Sequence, residues 1–268
     1  MNKIVVLGRG GMLGHVVLDV LRQHLNPQKY GIFGISQSDY NFTRHTDLER
    51  FVDHFNPHNL LLINCVGMLR QRIGKIPTSS EICKTLMLNS YLPNFLADRY
   101  KLIHVTTDCV YSGDKGSYVE SDPHTELDLY GRSKSLGEPA NAMCLRTSII
   151  GPEQSGRNLS LYEWFMSQQG STNGFTNHLW NGCTTRTLAY CILKIIEENL
   201  YVNGVRHIYS DTVSKYNLLQ LFNTRKNPMT EIKPVEALSK VDRTLSTEYP
   251  EFLKLFNLPS IEEQIKEL

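Results

Sequence analysis

Strand-like runs recur along this chain, at 4–7, 30–36, 60–66, 102–107, 143–148 and 207–210, and several of them are continuous apolar blocks. Blocks of this length without polar alternation predict strands of a parallel sheet covered on both faces. The segments between them include apolar positions at the spacing of a helix with one buried face, clearest at Leu13, Val16, Val17, Val20 and Leu21 and at Leu188, Cys191, Ile192, Ile195 and Ile196. Strand alternating with helix over short connections predicts an α/β fold, a doubly wound parallel sheet with right-handed crossovers. After residue 148 the rhythm weakens. Gly, Asn, Ser and Thr are common through 151–182, and from 213 the chain reads as short helices broken by Pro228, Pro234, Pro250 and Pro259. The expected organisation is a larger sheet domain of residues 1–148 and 183–212, with a smaller C-terminal lobe from 149–182 and 213–268.

A chain of 268 residues can bury a substantial core but is near the size at which one core splits into two lobes. Its net charge of +1 is spread along the length, which excludes the polybasic field that nucleic acid or an anionic membrane requires. The opening MNKIVVLGRG carries an apolar run too short for a signal peptide or a membrane span, so a cytoplasmic protein without a membrane partner is expected. Six cysteines form no C-x-x-C pair and read as reduced core residues, and nine histidines show no ligand spacing; no metal is assigned.

The first strand runs into L-G-R-G-G-M-L-G-H, with Gly8, Gly11 and Gly14 three apart at the start of the first helix. A tight turn, close backbone approach and the bare N–H groups of a helix N-terminus together suit a dinucleotide diphosphate, held by Gly8, Arg9, Gly11, Met12, Leu13 and Gly14. The ribose end is read at the tip of the second strand, where Ser36 and Gln37 stand and the nearest carboxylate, Asp39, lies a little beyond. An acid at the tip would favour NAD. Without one, Arg9 is free to meet a 2′-phosphate, so NADPH is the preferred cofactor, with NADH left open as the alternative.

At 130–134 the chain reads Y-G-R-S-K on a helical pattern, which places the Tyr130 phenol and the Lys134 ammonium on one face. A nearby ammonium favours phenolate, lowering the tyrosine pKa toward the range of a general acid. Upstream, the strand L-I-H-V-T-T-D ends in Thr106 and Thr107, and ligands of such sheets sit beyond the carboxyl ends of strands. Thr107 is therefore expected beside Tyr130.

The glycine pattern, T-T-D-C-V-Y-S-G, Y-G-R-S-K and L-R-T-S, in this order and at these intervals, resemble the extended short-chain dehydrogenase/reductases. Within that group the chain is similar to the nucleotide-sugar 4-keto reductases, the dTDP-4-dehydrorhamnose reductases among them; the match is close over the first 150 residues and loose beyond. The resemblance implies a Thr107, Tyr130 and Lys134 triad that reduces the keto group of a nucleotide-diphosphate sugar for rhamnose or other deoxysugar and polysaccharide biosynthesis. In it, Tyr130 gives the proton, Lys134 also binds the nicotinamide ribose and Thr107 polarises the carbonyl. It further implies that Asn41 and Phe42 flank the adenine and that Cys65, Val66 and Gly67 line the cofactor. The family often has Asp at the place of Asn41 and small alanines at those of residues 65–67. Asp108 is a candidate for orienting a sugar hydroxyl. Asn177 and Trp180, in F-T-N-H-L-W-N-G, are candidate sugar or base contacts, with a loop anchored by Trp180 as the alternative. Arg70, with Arg72, is a candidate for the diphosphate or a sugar hydroxyl, with a solvated loop as the alternative.

Two rival functions stay open: a nucleotide-sugar epimerase on the same fold, and a non-catalytic nucleotide-binding regulatory subunit. Cys109 after Asp108, where the family's dehydratases tend to carry Glu, speaks against dehydration. The intact triad speaks against the regulatory reading. The nucleotide base, a 2-acetamido group and whether the chain forms a homodimer are not legible in these residues.

Overall fold

The computed structural model describes residues 2–154, 159–226 and 228–268. Six parallel strands form the main sheet: β1 (Asn2–Leu7), β2 (Tyr30–Ile35), β3 (Leu60–Asn64), β4 (Lys101–Thr107), β5 (Met143–Thr147) and β10 (Gly204–His207), in the order β10-β5-β4-β3-β1-β2. Adjacent residues of β1 feed different cores. Ile4 and Val6 pack with α1 (Gly14–His24) and α7 (Thr185–Glu197), whereas Val5 and Leu7 pack opposite, with Leu48 and Phe51 of α2 (His45–His54) and Leu92, Phe95 and Leu96 of α4 (Leu92–Ala97). Burial on both faces is why these strands read as unbroken apolar runs. Each such side chain contributes roughly 1.5–3 kcal/mol.

The edge strand departs from expectation. It spans 204–207 and not 207–210, pairing Gly204 with Met143 through His207 with Arg146. Arg206 is tolerated at the edge, so apolarity did not mark the strand; Ile208 only continues the ladder, donating to the Arg146 carbonyl at 3.0 Å.

The remaining strands are short. β6 (Ile149–Ile150) pairs β9 (Cys183–Thr184), β7 (Ser171–Phe175) pairs β12 (Glu231–Val235), and β8 (His178–Trp180) lies between β11 (Val213–Ser214) and β13 (Val241–Asp242). With α6 (Leu161–Ser167), α8 (Lys215–Asn223) and α10 (Ile261–Lys266) they enclose a separate core containing Phe165, Trp180, Leu218, Phe222, Ile232 and Ile261. The C-terminal prolines therefore do more than break helices: Pro234 sits in a two-stranded ribbon and Pro250 opens α9 (Pro250–Lys254), where its missing N–H costs nothing.

Candidate active site

β1 has β2 on one side and β3 on the other, so chain order reverses at β1 and a crevice opens beyond the carboxyl ends of β1 and β3. The glycine turn fills one wall. Gly8 has φ 89°, and a Cβ on Gly14 would lie 2.1 Å from the Gly8 carbonyl oxygen, so the turn folds onto itself only with glycine at both places. Gly10 and Gly11 are exposed, and a Cβ on Gly10 would meet nothing within 4 Å. The first turn of α1 carries no acidic residue, leaving its N–H groups and partial positive charge uncompensated. This cradle fits a dinucleotide diphosphate. Met12 is half-buried, while Leu13 belongs to the core and supports the turn from beneath.

At the tip of β2 the structure corrects the sequence reading. Asp39 folds back and accepts hydrogen bonds from both the Ser36 amide and hydroxyl at 2.8 Å, and pairs with Arg9 at 3.2 Å. A carboxylate thus stands at the tip, and Arg9 is already engaged. The Ser36 amide, more than Arg9, holds the Asp39 carboxyl below its ordinary pKa. Gln37 is exposed. Asn41 is tied to Thr43 and Asp47, and Phe42, expected beside an adenine, is 4% exposed and packs against Tyr40 and Phe51 inside the core.

Cys65, Val66 and Gly67 leave the end of β3 and form the opposite wall. Asn64, fully buried, accepts from the Val66 amide at 3.0 Å and reaches His104 of β4 at 3.1 Å. Asn89 bridges further. It lies in a π-helical turn (Met87–Tyr91) between α3 (Ser79–Leu86) and α4, accepts from the Met68 amide at 2.7 Å, and donates to the Met68 carbonyl and the Ser133 hydroxyl. Neither asparagine carries a signal that sequence reasoning could have read.

Tyr130 and Lys134 lie on α5 (Leu129–Ser135), capped by Asp128, whose carboxylate accepts from the Gly131 amide at 2.7 Å. Arg70 pairs with the same Asp128 at 2.6 Å, so it steadies α5. Arg72 lies with it on a short 3-10 helix and is exposed. Thr107 lies close enough to Tyr130 to act on its phenol, and donates to Asp108 at 3.1 Å. The two α5 side chains diverge, however. Burial pushes the Tyr130 phenol above its ordinary pKa, and the charges acting on it are those of Cys109, Asp108 and Asp128, with Lys134 not among the main influences. Lys134, 6% exposed, turns to the other wall, where a Cβ on Gly67 would lie 3.0 Å from its Nζ. Burial lowers its pKa to about 8 against the opposing pull of Glu138 and Cys65. Lys134 therefore faces the Gly67 wall and Tyr130 the side of Thr107 and Asp108. Asp108 is 5% exposed, and burial raises its pKa.

Behind this site lies a network that sequence reasoning missed. Arg146 of β5, 1% exposed, makes a bidentate pair with Glu138 and donates to Tyr111, to His124 Nε2 at 2.8 Å and to His207 Nε2 at 2.9 Å. Both histidines accept at Nε2, so each carries its hydrogen at Nδ1, where His124 meets Ser135 and His207 the Ser246 carbonyl, both at 2.6 Å. Glu138 also accepts from Thr106, the neighbour of Thr107, at 2.9 Å. An arginine inside the run M-C-L-R-T was the available signal.

Two expected substrate contacts have other duties here. Trp180 is 9% exposed within the smaller core, because β11 and β13 cover both edges of its strand. Asn177 accepts from the Ala237 amide at 3.0 Å and donates to its carbonyl at 2.7 Å, closing a loop. Among the described residues no group of His, Cys, Asp and Glu is placed to hold a metal ion, and no helix is long and apolar enough to cross a membrane.

Comparison with known proteins gives the same outline. The RmlD substrate binding domain family matches residues 1–251. A probable low-salt glycan biosynthesis reductase of Haloferax volcanii is 31% identical over 232 residues, covering 77% of this chain and 74% of that protein. A dTDP-4-dehydrorhamnose reductase of Aggregatibacter actinomycetemcomitans is 26% identical over 140 residues, 52% of this chain and 46% of its own. The chain spans about half the length of most of the curated relatives it matches. Among solved structures, dTDP-4-dehydrorhamnose reductase from Bacillus anthracis, in complex with NADP, superimposes with a TM-score of 0.79 at 20% identity, covering 100% of this chain and 98% of that one. At that identity the likeness is one of fold.

Proposed function

The chain belongs to the RmlD substrate binding domain family, and from that membership we propose that it is an NADPH-dependent reductase of the keto group of a nucleotide-linked 4-keto-6-deoxy sugar, working in deoxysugar or glycan biosynthesis. The observation that carries the reading is the placement of Thr107, Tyr130 and Lys134 across the crevice from the glycine cradle, with the phenol on one side and the ammonium on the other. The relatives named as reductases of dTDP-linked sugars and of glycan precursors support it, as does the NADP in the B. anthracis structure.

The bound nicotinamide supplies the hydride. Tyr130, its pKa raised by burial, stays protonated at neutral pH and holds a proton for the ketone oxygen. The Thr107 hydroxyl, which donates its one hydrogen to Asp108 while no substrate is bound, turns that hydrogen to the ketone oxygen and so polarises it. Lys134 lies against Gly67 to bind the nicotinamide ribose. The α1 N-terminus and the exposed Gly10–Gly11 backbone hold the diphosphate. Burial of Thr107 and Lys134 keeps water from them.

NADPH oxidation with a panel of dTDP-, UDP- and GDP-linked 4-keto-6-deoxy sugars, including 2-acetamido forms, tests the reading. One equivalent of NADPH consumed per sugar reduced, with at least one member of the panel, is expected. Interconversion of a sugar without net oxidation would make the protein an epimerase, and cofactor binding with neither activity would make it a regulatory subunit.

A further inference from the structure

At the amino ends of the strands, opposite the crevice, lies a cavity of about 340 Å³. Its apolar lining is Ile4, Leu61 and Ile103 from the sheet and Ile195 and Ile196 from α7, the helix packed on that face. The chain builds another wall where α7 ends. Asn199 has φ 54°, the left-handed conformation that asparagine tolerates and that closes a helix, and the Leu200 amide donates back to the Ile195 carbonyl at 2.9 Å. Tyr201 follows, and its hydroxyl donates to the Leu102 carbonyl of β4 at 3.3 Å, which fixes the ring beside the strand. Tyr30, the first residue of β2, supplies a second aromatic wall. Ligand sites are mostly apolar spaces of about 300–1,000 Å³ with a few polar groups, so this one suits a molecule of one or two fused rings.

The charge around this space has one sign. Lys3 and Lys101 line it, and no acidic residue does. The Lys101 ammonium lies 4.3 Å from the centre of the Tyr201 ring, and that of Lys29 lies 5.2 Å from the centre of the Tyr30 ring. None of the three lysines has an ion-pair partner among the described residues, in a chain whose net charge is only +1. The side-chain amides of Asn59 and Asn199, in the same lining, make no hydrogen bond to a described residue. Aliphatic walls, two phenol rings and uncompensated cations together match a flat molecule that carries an acid group. Such a ligand reaches none of the residues of the crevice: β1 and β4 hold the cavity at one end and lead to Gly8 and Thr107 at the other, about 20 Å away at the rise of a strand.

We propose that this cavity is a second binding site, for a small aromatic acid whose ring lies against Tyr30 and Tyr201 and whose carboxylate meets Lys101 and Lys3. It is separate from the crevice and does not depend on the reaction proposed there.

Calorimetric titration of the full chain with 1-naphthoate tests the proposal. Saturable binding of one equivalent is expected, with the same affinity when NADPH is present in excess. 1-Naphthylmethanol keeps the rings and lacks the charge, so it should bind at least tenfold more weakly, about 1.4 kcal/mol. Raised salt should weaken naphthoate and leave the alcohol unaffected. Lys101→Met, an exposed change that folding tolerates, should weaken naphthoate at least tenfold, and Lys101→Arg should restore most of the loss. Ile196→Trp, at a half-buried position, fills the space and should abolish binding of both compounds while the circular dichroism of the chain is kept. No saturable binding up to millimolar naphthoate overturns the proposal, as does an unchanged affinity in Lys101→Met. Displacement of naphthoate by NADPH would place it in the crevice and overturn the second site. Full binding by a folded Ile196→Trp chain would show that the acid rests on surface lysines alone, with the same consequence.

Discussion

Arg146 and Lys134 are both buried cations, 1% and 6% exposed, and both answer to Glu138. Arg146 spends every N–H it has, on Glu138, Tyr111, His124 and His207. Lys134 makes no hydrogen bond through its ammonium to any described residue, and its pKa falls to about 8, whereas that of Arg146 rises. A buried charge with all its donors satisfied stabilises one arrangement of the chain. A buried charge with donors left over is held ready for something that arrives. The two lie one β-strand and one helix apart, and the difference separates architecture from chemistry better than burial does.

Replacing Tyr130 by Phe should give the largest effect and fall wholly on the chemical side. Turnover with the best sugar should drop by roughly a hundred- to ten-thousand-fold, while the midpoint of urea unfolding stays where it was. A retained rate would remove the phenol from the mechanism.

Arg146→Met should do the reverse. It strands the Glu138 carboxylate in the interior, at a cost of about 3–5 kcal/mol in unfolding free energy. Converting Glu138 to Leu in the same chain should recover part of that loss, since the two act as one unit. If Arg146→Met were as stable as the parent, the network would be ornamental.

A smaller effect should appear with pH. Burial lowers the pKa of His207 below 6.5, against the pull of Glu120, with Arg146 adding to the lowering; burial, with Arg146 adding to it, likewise lowers that of His124 against Glu138. The unfolded chain then binds these protons first, so stability is full above about 6.5 and declines as pH falls toward the depressed folded values. Urea melts at pH 7.5 and 5.5 should show the decline, and His207→Asn should flatten it. An unaltered slope in that variant would assign the acid sensitivity elsewhere.

The smallest effect belongs to Arg9 and Asp39, the exposed pair at the tip of β2. Exposed pairs contribute about 0–1 kcal/mol to stability, so Asp39→Asn should leave folding unchanged. It should release Arg9 and shift the ratio of NADPH to NADH affinity toward NADPH by up to about tenfold, near 1.4 kcal/mol. A constant ratio would mean that the tip does not read the 2′ position.

What sequence could show follows the same division. Five of the six strands of the main sheet were legible because burial writes an apolar run, and the glycine cradle because close backbone contact leaves few alternatives to Gly8 and Gly14. Tyr130 and Lys134 were legible as a spacing, and Thr107 as the end of a strand. Their second layer was not: Asn64, Asn89 and Glu138 act across separations of 40, 44 and 8 residues, toward His104, Ser133 and Arg146, and pattern along the chain carries no record of such partners. Asp39 was misplaced because a turn of three residues brings it back to Ser36. Trp180 was offered as a substrate contact because periodicity does not say that the smaller core encloses it.

The π-helical turn at 87–91 has a consequence for insertion and deletion in this chain. α3, the wide turn and α4 run on without a break from 79 to 97, so the turn amounts to one surplus residue lodged in a helix. Removing a single residue there would let the helix heal into regular α geometry. The polypeptide would close up smoothly, the helices on either side keeping their faces, while the side chains of the turn itself were redistributed about the axis. Asn89 could then no longer grip both Met68 and Ser133. The altered protein would be expected to gain helical regularity and lose the fixed distance between its two catalytic walls. A lineage that shed this residue would keep the fold and, on the proposed function, forfeit the reaction.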